Sequence, residues 1–133
     1  MPVKRILLAE DDKDDRFFFT ESLKHRDDFF LMPIAENGAD LMEFLEAIHP
    51  AEFPDVIILD QNMPRQNGLQ TLKLLKGNDT YSHIPLVVYS ASTNDMLIRQ
   101  SLESGALLVV NKPSTLDEYN KMIDDILQVI NGN

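Results

Sequence analysis

The sequence predicts an α/β domain built on a parallel sheet. Two observations carry that reading. Short, almost wholly apolar runs of strand length alternate with amphipathic stretches of helical period along the chain, the pattern of successive βα units. Several of those runs also stop abruptly at polar residues: Ile6-Leu7-Leu8-Ala9 at Glu10-Asp11-Asp12, Val56-Ile57-Ile58-Leu59 at Asp60, Leu86-Val87-Val88-Tyr89 at Ser90, and Leu107-Leu108-Val109-Val110 at Asn111-Lys112-Pro113. Strands lying parallel in one sheet share their carboxyl edge, and that edge is where open α/β sheets place ligand sites.

The elements follow in order. A first strand covers residues 4 to 9, and a helix from Asp14 to His25 follows, with Phe19 and Leu23 four apart on one face. Phe17, Phe18 and Phe19 cannot all point inward. The second strand is expected over Phe29 to Ala35, and Pro33 within it argues for a sheet edge, where a missing amide donor does least harm. Asn37-Gly38 turns the chain into a helix marked by Leu41, Phe44, Leu45 and Ile48, which His49-Pro50 ends. Pro54 opens the third strand. Gly68 leads into a short helix carrying Leu69, Leu72 and Leu75, stopped by Gly77-Asn78-Asp79, and the fourth strand spans Ile84 to Ser90. Ser92 or Thr93 is the expected cap of a helix through Asn94 to Ser104, with Gly105 as its left-handed end residue. A fifth strand from Leu107 to Asn111 precedes a last helix with Thr115 and Glu118 at capping-box spacing. Its apolar stripe is Leu116, Tyr119, Ile123, Ile126, Leu127 and Ile130.

Composition narrows the function. The 133 residues suit one domain and contain no cysteine, so disulfides, cysteine-zinc sites and thiol nucleophiles are excluded. The start Met1-Pro2-Val3-Lys4-Arg5 precedes only a short apolar run, which predicts neither a secretory signal nor a membrane span and makes a cytoplasmic protein the expectation. With 12 basic and 22 acidic side chains the net charge is −10, which opposes binding to nucleic acid or anionic lipid and favours protein partners.

The four strand ends bring complementary groups together. Glu10, Asp11 and Asp60 repel one another unless a cation offsets them, and an all-oxygen set selects Mg2+ or Mn2+ over zinc. Such an ion leaves room for a phosphoryl oxygen, which suits phosphoryl transfer. Asp60 is the candidate nucleophile, with Lys112 and the Ser90 hydroxyl as holders of phosphoryl oxygens. Taken singly, an acidic turn, a lysine before proline or a serine at a strand end is ordinary surface chemistry. Their agreement across four strands is what points to a site.

In this combination of motifs the chain resembles a receiver domain of the two-component response regulators over residues 4 to 130. The resemblance implies a flavodoxin-like, doubly wound, five-stranded parallel sheet of order 2-1-3-4-5 with five helices. It casts Glu10 and Asp11 as the acidic pair, Asp60 as phospho-acceptor, Asn62 as lender of a backbone carbonyl to the metal, Ser90 as switch hydroxyl, and Lys112 as the lysine before a proline joined by a cis bond. Met63-Pro64 and Gly68 also fall where the family pattern has them. Phosphoryl groups then come from a sensor histidine kinase or phosphotransfer protein, and no sequence is left for an output domain, so a downstream protein target is implied. The family's usual contact face is the fourth helix, fifth strand and fifth helix, which makes homodimers in some relatives. The Arg65-Gln66-Asn67 loop and the Asn78 to His83 segment resemble stand-alone receivers that serve phytochrome-like and other hybrid kinases. Val109 stands where the family has its rotating aromatic residue and Ser114 where many relatives have phenylalanine, so a smaller rearrangement of the fourth strand and the helix after it is expected.

Three rival readings meet the same residues. A phosphohydrolase with an aspartyl nucleophile needs a carboxylate two positions later, where this chain has Asn62. A receiver-shaped interaction module that is never phosphorylated commonly lacks one of the acceptor, the acidic pair or the lysine. A nucleotide-binding protein needs a glycine-rich phosphate loop, which is absent from the sequence.

Overall fold

Five parallel strands form one sheet in the order β2-β1-β3-β4-β5 in the computed structural model, which describes residues 3–132. The strands are β1 (Lys4–Ala9), β2 (Phe29–Leu31), β3 (Val56–Asp60), β4 (Leu86–Ser90) and β5 (Leu108–Asn111). The helices are α1 (Lys13–Leu23), α2 (Gly38–Ala47), α3 (Gly68–Lys76), α4 (Asp95–Glu103) and α5 (Leu116–Asn131), with a short 3-10 helix, Pro50–Glu52, before β3. Order and helix number agree with the sequence reading. Met1, Pro2 and Asn133 lie outside the described residues.

The apolar runs are continuous because both faces of the sheet are covered. Successive side chains alternate sides. Leu7, Ile57, Leu59, Leu86 and Val88 pack with Leu41 and Leu45 of α2 and Leu72 and Leu75 of α3. On the opposite face Ile6, Leu8, Val56, Ile58, Val87 and Tyr89 pack with Phe19 and Leu23 of α1 and Tyr119, Ile123 and Ile126 of α5. Helix α4 lies beside α3 and β5. Of the three consecutive phenylalanines only Phe19 is buried, while Phe17 and Phe18 face solvent.

Several boundaries differ from expectation, each for a local reason. Strand β2 ends at Leu31 rather than Ala35; Pro33 offers no amide, and pairing resumes only as an isolated bridge between Ala35 and Ala9. Helix α1 begins at Lys13 because the Asp12 carboxylate accepts the Asp15 N–H at 2.9 Å, and it ends at Leu23, not His25. Helix α4 is capped by Asn94, whose side chain accepts the Leu97 N–H at 2.8 Å. Ser92 and Thr93 do not cap it: Ser92 exchanges hydrogen bonds with Ser90, and the Thr93 hydroxyl donates to Asn111 Oδ1 at 2.8 Å. Gly105 takes φ +107°, the left-handed end residue the sequence indicated.

At α5 the cap is only half the expected box. Thr115 Oγ1 accepts the Glu118 N–H at 3.1 Å, but Glu118 accepts from the Ser114 N–H at 2.8 Å instead of reaching back to Thr115. A full box sits instead at α3, between Asn67 and Gln70. The Lys112-Pro113 bond is not cis; no cis peptide occurs among the described residues. No helix among them is long and apolar enough to cross a membrane.

Candidate functional site

Register builds the site. Ala9 pairs with Leu59, Asp60 with Tyr89, and Ser90 with Asn111, so the residues that follow Ala9 and Asn111 enter the same edge as Asp60 and Ser90. The chain passes from β1 outward to β2 and then back across to β3, so this edge lies at the point where strand order reverses. Gly68 closes the loop after β3, because a Cβ there would stand 2.7 Å from the Asp60 carbonyl oxygen. Its N–H donates to Gln61 O at 3.2 Å, while the Gln61 side chain accepts the Leu69 N–H at 2.8 Å. The start of α3 is thereby pinned to the backbone of Asp60. Arg16 of α1 ties down the acidic loop on the other side, donating to the carbonyl oxygens of Glu10 and Asp11 at 3.0 and 2.8 Å.

Glu10 and Asp60 are almost fully buried, Asp11 is exposed, and one carboxylate oxygen from each lies within 4.8 Å of the others. Lys112 Nζ stands among them, 2.9 Å from Glu10 Oε1 and 3.1 Å from Asp60 Oδ2. It also reaches Asp15 Oδ2 of α1 at 2.8 Å. Asp60 Oδ1 accepts the Asn62 N–H at 3.2 Å. The structure thus brings together Glu10, Asp11, Asp60 and Lys112, with Asn62 on the rim of the loop. Ser90 is buried on the neighbouring strand, but its hydroxyl donates to Ser92 O and accepts the Ser92 N–H, so its hydrogen bonds do not go to Asp60.

The charges explain the protonation. Burial, then the hydrogen bond and negative charge of Glu10, push the Asp60 carboxyl up to about 8, with Lys112 only partly opposing. Burial also works to raise Glu10, but hydrogen bonds with Asp60, Tyr89, Lys112 and the Asp12 N–H outweigh it and hold that carboxyl below its ordinary value. Glu10 therefore carries the charge while Asp60 retains the proton. Lys112 is likewise opposed by burial, yet its carboxylate neighbours raise it further above the usual lysine value. One ammonium against this many carboxylates leaves the site short of positive charge. Hard oxygen donors that crowd together and cannot all ionise fit a small divalent ion such as Mg2+ or Mn2+. Glu10, Asp11 and Asp60 would hold it, with the Asn62 carbonyl close by in sequence.

Two participants escaped the sequence reading. Tyr89, inside the fourth apolar run, looked like core; it is fully buried, yet its hydroxyl donates to Glu10 Oε1 and its ring carries Lys112 Nζ 5.2 Å from the centroid. The position directly before Ser90, at the carboxyl end of an otherwise aliphatic strand, was the only signal. Asp15 is one of two acids in the first turn of α1, where either complements the helix dipole, and nothing in the sequence separates it from Asp14. Val109, at the position expected to hold an aromatic switch, packs half-buried against the α2–α3 side of the core.

Comparison with known proteins agrees with this architecture. The sequence model of the response regulator receiver domain matches residues 6–124. Response regulator Rcp1 of Synechocystis sp. is 32% identical over 128 residues, covering 94% of this chain and 87% of Rcp1. Its Mn(2+)-bound crystal structure superposes with a TM-score of 0.79 over 94% of this chain and 92% of that one. The phosphorylated cyanobacterial phytochrome response regulator RcpA is 27% identical with a TM-score of 0.83, covering 96% of this chain and 93% of that one. A protein-glutamate methylesterase/protein-glutamine glutaminase of Clostridium acetobutylicum is 30% identical over 95% of this chain, which spans only 35% of that protein.

Proposed function

The chain belongs to the response regulator receiver domain family, and on that premise we propose that it accepts a phosphoryl group on Asp60 from a sensor histidine kinase or phosphotransfer protein. The observation that carries the proposal is the buried Asp60 carboxylate, with Lys112 Nζ at 3.1 Å and the oxygens of Glu10 and Asp11 within 4.8 Å. A divalent ion held by Glu10, Asp11 and Asp60, with the Asn62 carbonyl, would neutralise charge on the incoming group and displace the proton that Asp60 keeps in its absence.

The residues of the chain then have distinct tasks. An Asp60 oxygen bonds to phosphorus as the donor's P–N bond breaks, and the imidazole leaves. Lys112 is already in place to follow the transferred oxygens, since its ammonium is shared among Asp60, Glu10 and Asp15 and any one contact can be exchanged. Ser90 is the switch hydroxyl, and its bonds to Ser92 in the loop before α4 are what it gives up to reach the phosphate. With the small Val109 on β5, the rearrangement centres on the end of β4 and the loop into α4, altering the α4–β5–α5 face that binds a downstream protein or a second copy. That Rcp1 was solved with Mn2+ and RcpA phosphorylated supports both halves of the reading. That this chain covers 87% of Rcp1, itself a response regulator, supports a receiver whose output is a protein contact, not turnover of a separate substrate.

Beryllofluoride, which imitates an aspartyl phosphate, tests this by fluorine NMR. The proposal expects a bound resonance with Mg2+ present that vanishes with chelator and in Asp60→Asn. A bound resonance that persists in Asp60→Asn, or none in the unaltered protein, contradicts it and favours an interaction module that is never phosphorylated.

A further inference from the structure

Glu10 Oε1 accepts two side-chain donors, the Lys112 ammonium and the Tyr89 hydroxyl, whereas Oε2 accepts the Asp12 N–H at 3.1 Å. A carboxylate has about four acceptor sites, so Oε2 is the oxygen with capacity to spare for a cation. The two donors to Oε1 differ in permanence. Lys112 is divided among Glu10, Asp15 and Asp60 and sits on a flexible stem. Tyr89 is locked: its ring is fully buried and packs edge-on against Phe19 of α1 at 6.4 Å, and Phe19 in turn packs edge-on against Tyr119 of α5 at 6.0 Å. Its backbone is the β4 neighbour of Asp60.

We infer that Tyr89 is a positioning residue, fixing the Glu10 carboxylate in the orientation that binds the divalent ion and keeping it there when Lys112 turns to the phosphoryl group. This rests on the reading of Glu10 as a metal ligand. Hydrogen-bond partners of ligating side chains set metal affinity because they fix ligand orientation, and losing one typically costs about 10- to 100-fold.

Tyr119 supplies the control: its hydroxyl is buried without a hydrogen-bond partner among the described residues, so Tyr119→Phe breaks no such bond. Mn2+ titration of the full chain, read from the free-ion paramagnetic resonance signal, is the test. Tyr89→Phe should weaken Mn2+ binding by about 10- to 100-fold, and Tyr119→Phe should leave it unchanged. In a Glu10→Gln background Tyr89→Phe should add little further loss, because the two act through one contact. Unchanged Mn2+ affinity in Tyr89→Phe, or an undiminished loss on top of Glu10→Gln, overturns the inference. If the unaltered chain binds no Mn2+, the reading of the site itself fails.

Should Tyr89→Phe not fold, the unaltered protein still decides. The chain has three tyrosines and no tryptophan, so with ring-labelled tyrosine one resonance should shift saturably with Mg2+. No tyrosine shift overturns the inference.

Discussion

Asp60 makes the metal-free protein sensitive to pH in an unusual direction. Its carboxyl is raised from the ordinary 3.8 to about 8 by burial and by Glu10, so the folded chain binds more protons than the unfolded chain between those limits. Stability from this group is full below the lower limit and is lost as pH rises toward the upper one. The ceiling is about 1.4 kcal/mol per pH unit, or about 4 kcal/mol from pH ~5 to ~8. Because Lys112 follows the charge and the exposed Asp11 side admits water, about 2 kcal/mol is the expected fall. Glu10 is shifted the opposite way, so its contribution is lost on acidification instead; it is avoided by staying above about pH 5. The perturbation is Asp60→Asn, which removes the titration while keeping the shape. Urea unfolding of both proteins in chelator, at matched pH values above the range where Glu10 takes up a proton, isolates the term because groups away from Asp60 cancel in the difference. Asp60→Asn should gain stability relative to the parent as pH rises. Parallel pH profiles, or a parent that gains on the variant, would refute the charge assignment. Saturating Mg2+ should remove the parent's disadvantage, adding about 2.7 kcal/mol at one hundred times the dissociation constant.

Three further outcomes follow from named contacts. Lys112→Met strands the buried Glu10–Asp60 pair and should destabilise the metal-free protein by about 3 kcal/mol in urea unfolding, with much of the loss recovered on adding Mg2+. Gly68→Ala forces a Cβ against the Asp60 carbonyl at 2.7 Å and should cost about 1–3 kcal/mol by the same assay; a neutral result would show that the α3 start need not approach Asp60. Asn67→Ala removes the cap accepting the Gln70 N–H at 2.9 Å and should lower stability by about 1 kcal/mol.

The parts of the fold that were legible in the sequence are those set by burial. Leu7-Leu8 and Ile57-Ile58 admit no exposed face, so they could only be central strands, and the polar residues closing each run marked one edge of the sheet. Boundaries were lost where a local polar group had a competing partner. Ser92 and Thr93 are good caps by type, but the Ser92 backbone is held by the Ser90 hydroxyl and the Thr93 hydroxyl is drawn to Asn111, leaving the α4 cap to Asn94. Pro33 was read as an edge marker, and β2 does lie at the edge of the sheet; the same proline also marks where β2 pairing breaks. At the site, residues following strand ends were legible because a parallel sheet collects them. Tyr89 and Asp15 were not, because their roles depend on which way a side chain leaves β4 or α1 toward another element.

The central claim is that a divalent ion quenches the acidic cluster so that Asp60 can become an acyl phosphate. Intact-mass spectra after incubation with acetyl phosphate test it most directly. The account predicts a single phosphoryl adduct with Mg2+ that is absent with chelator and absent in Asp60→Asn. An adduct formed equally well without the ion, or retained in Asp60→Asn, would contradict it.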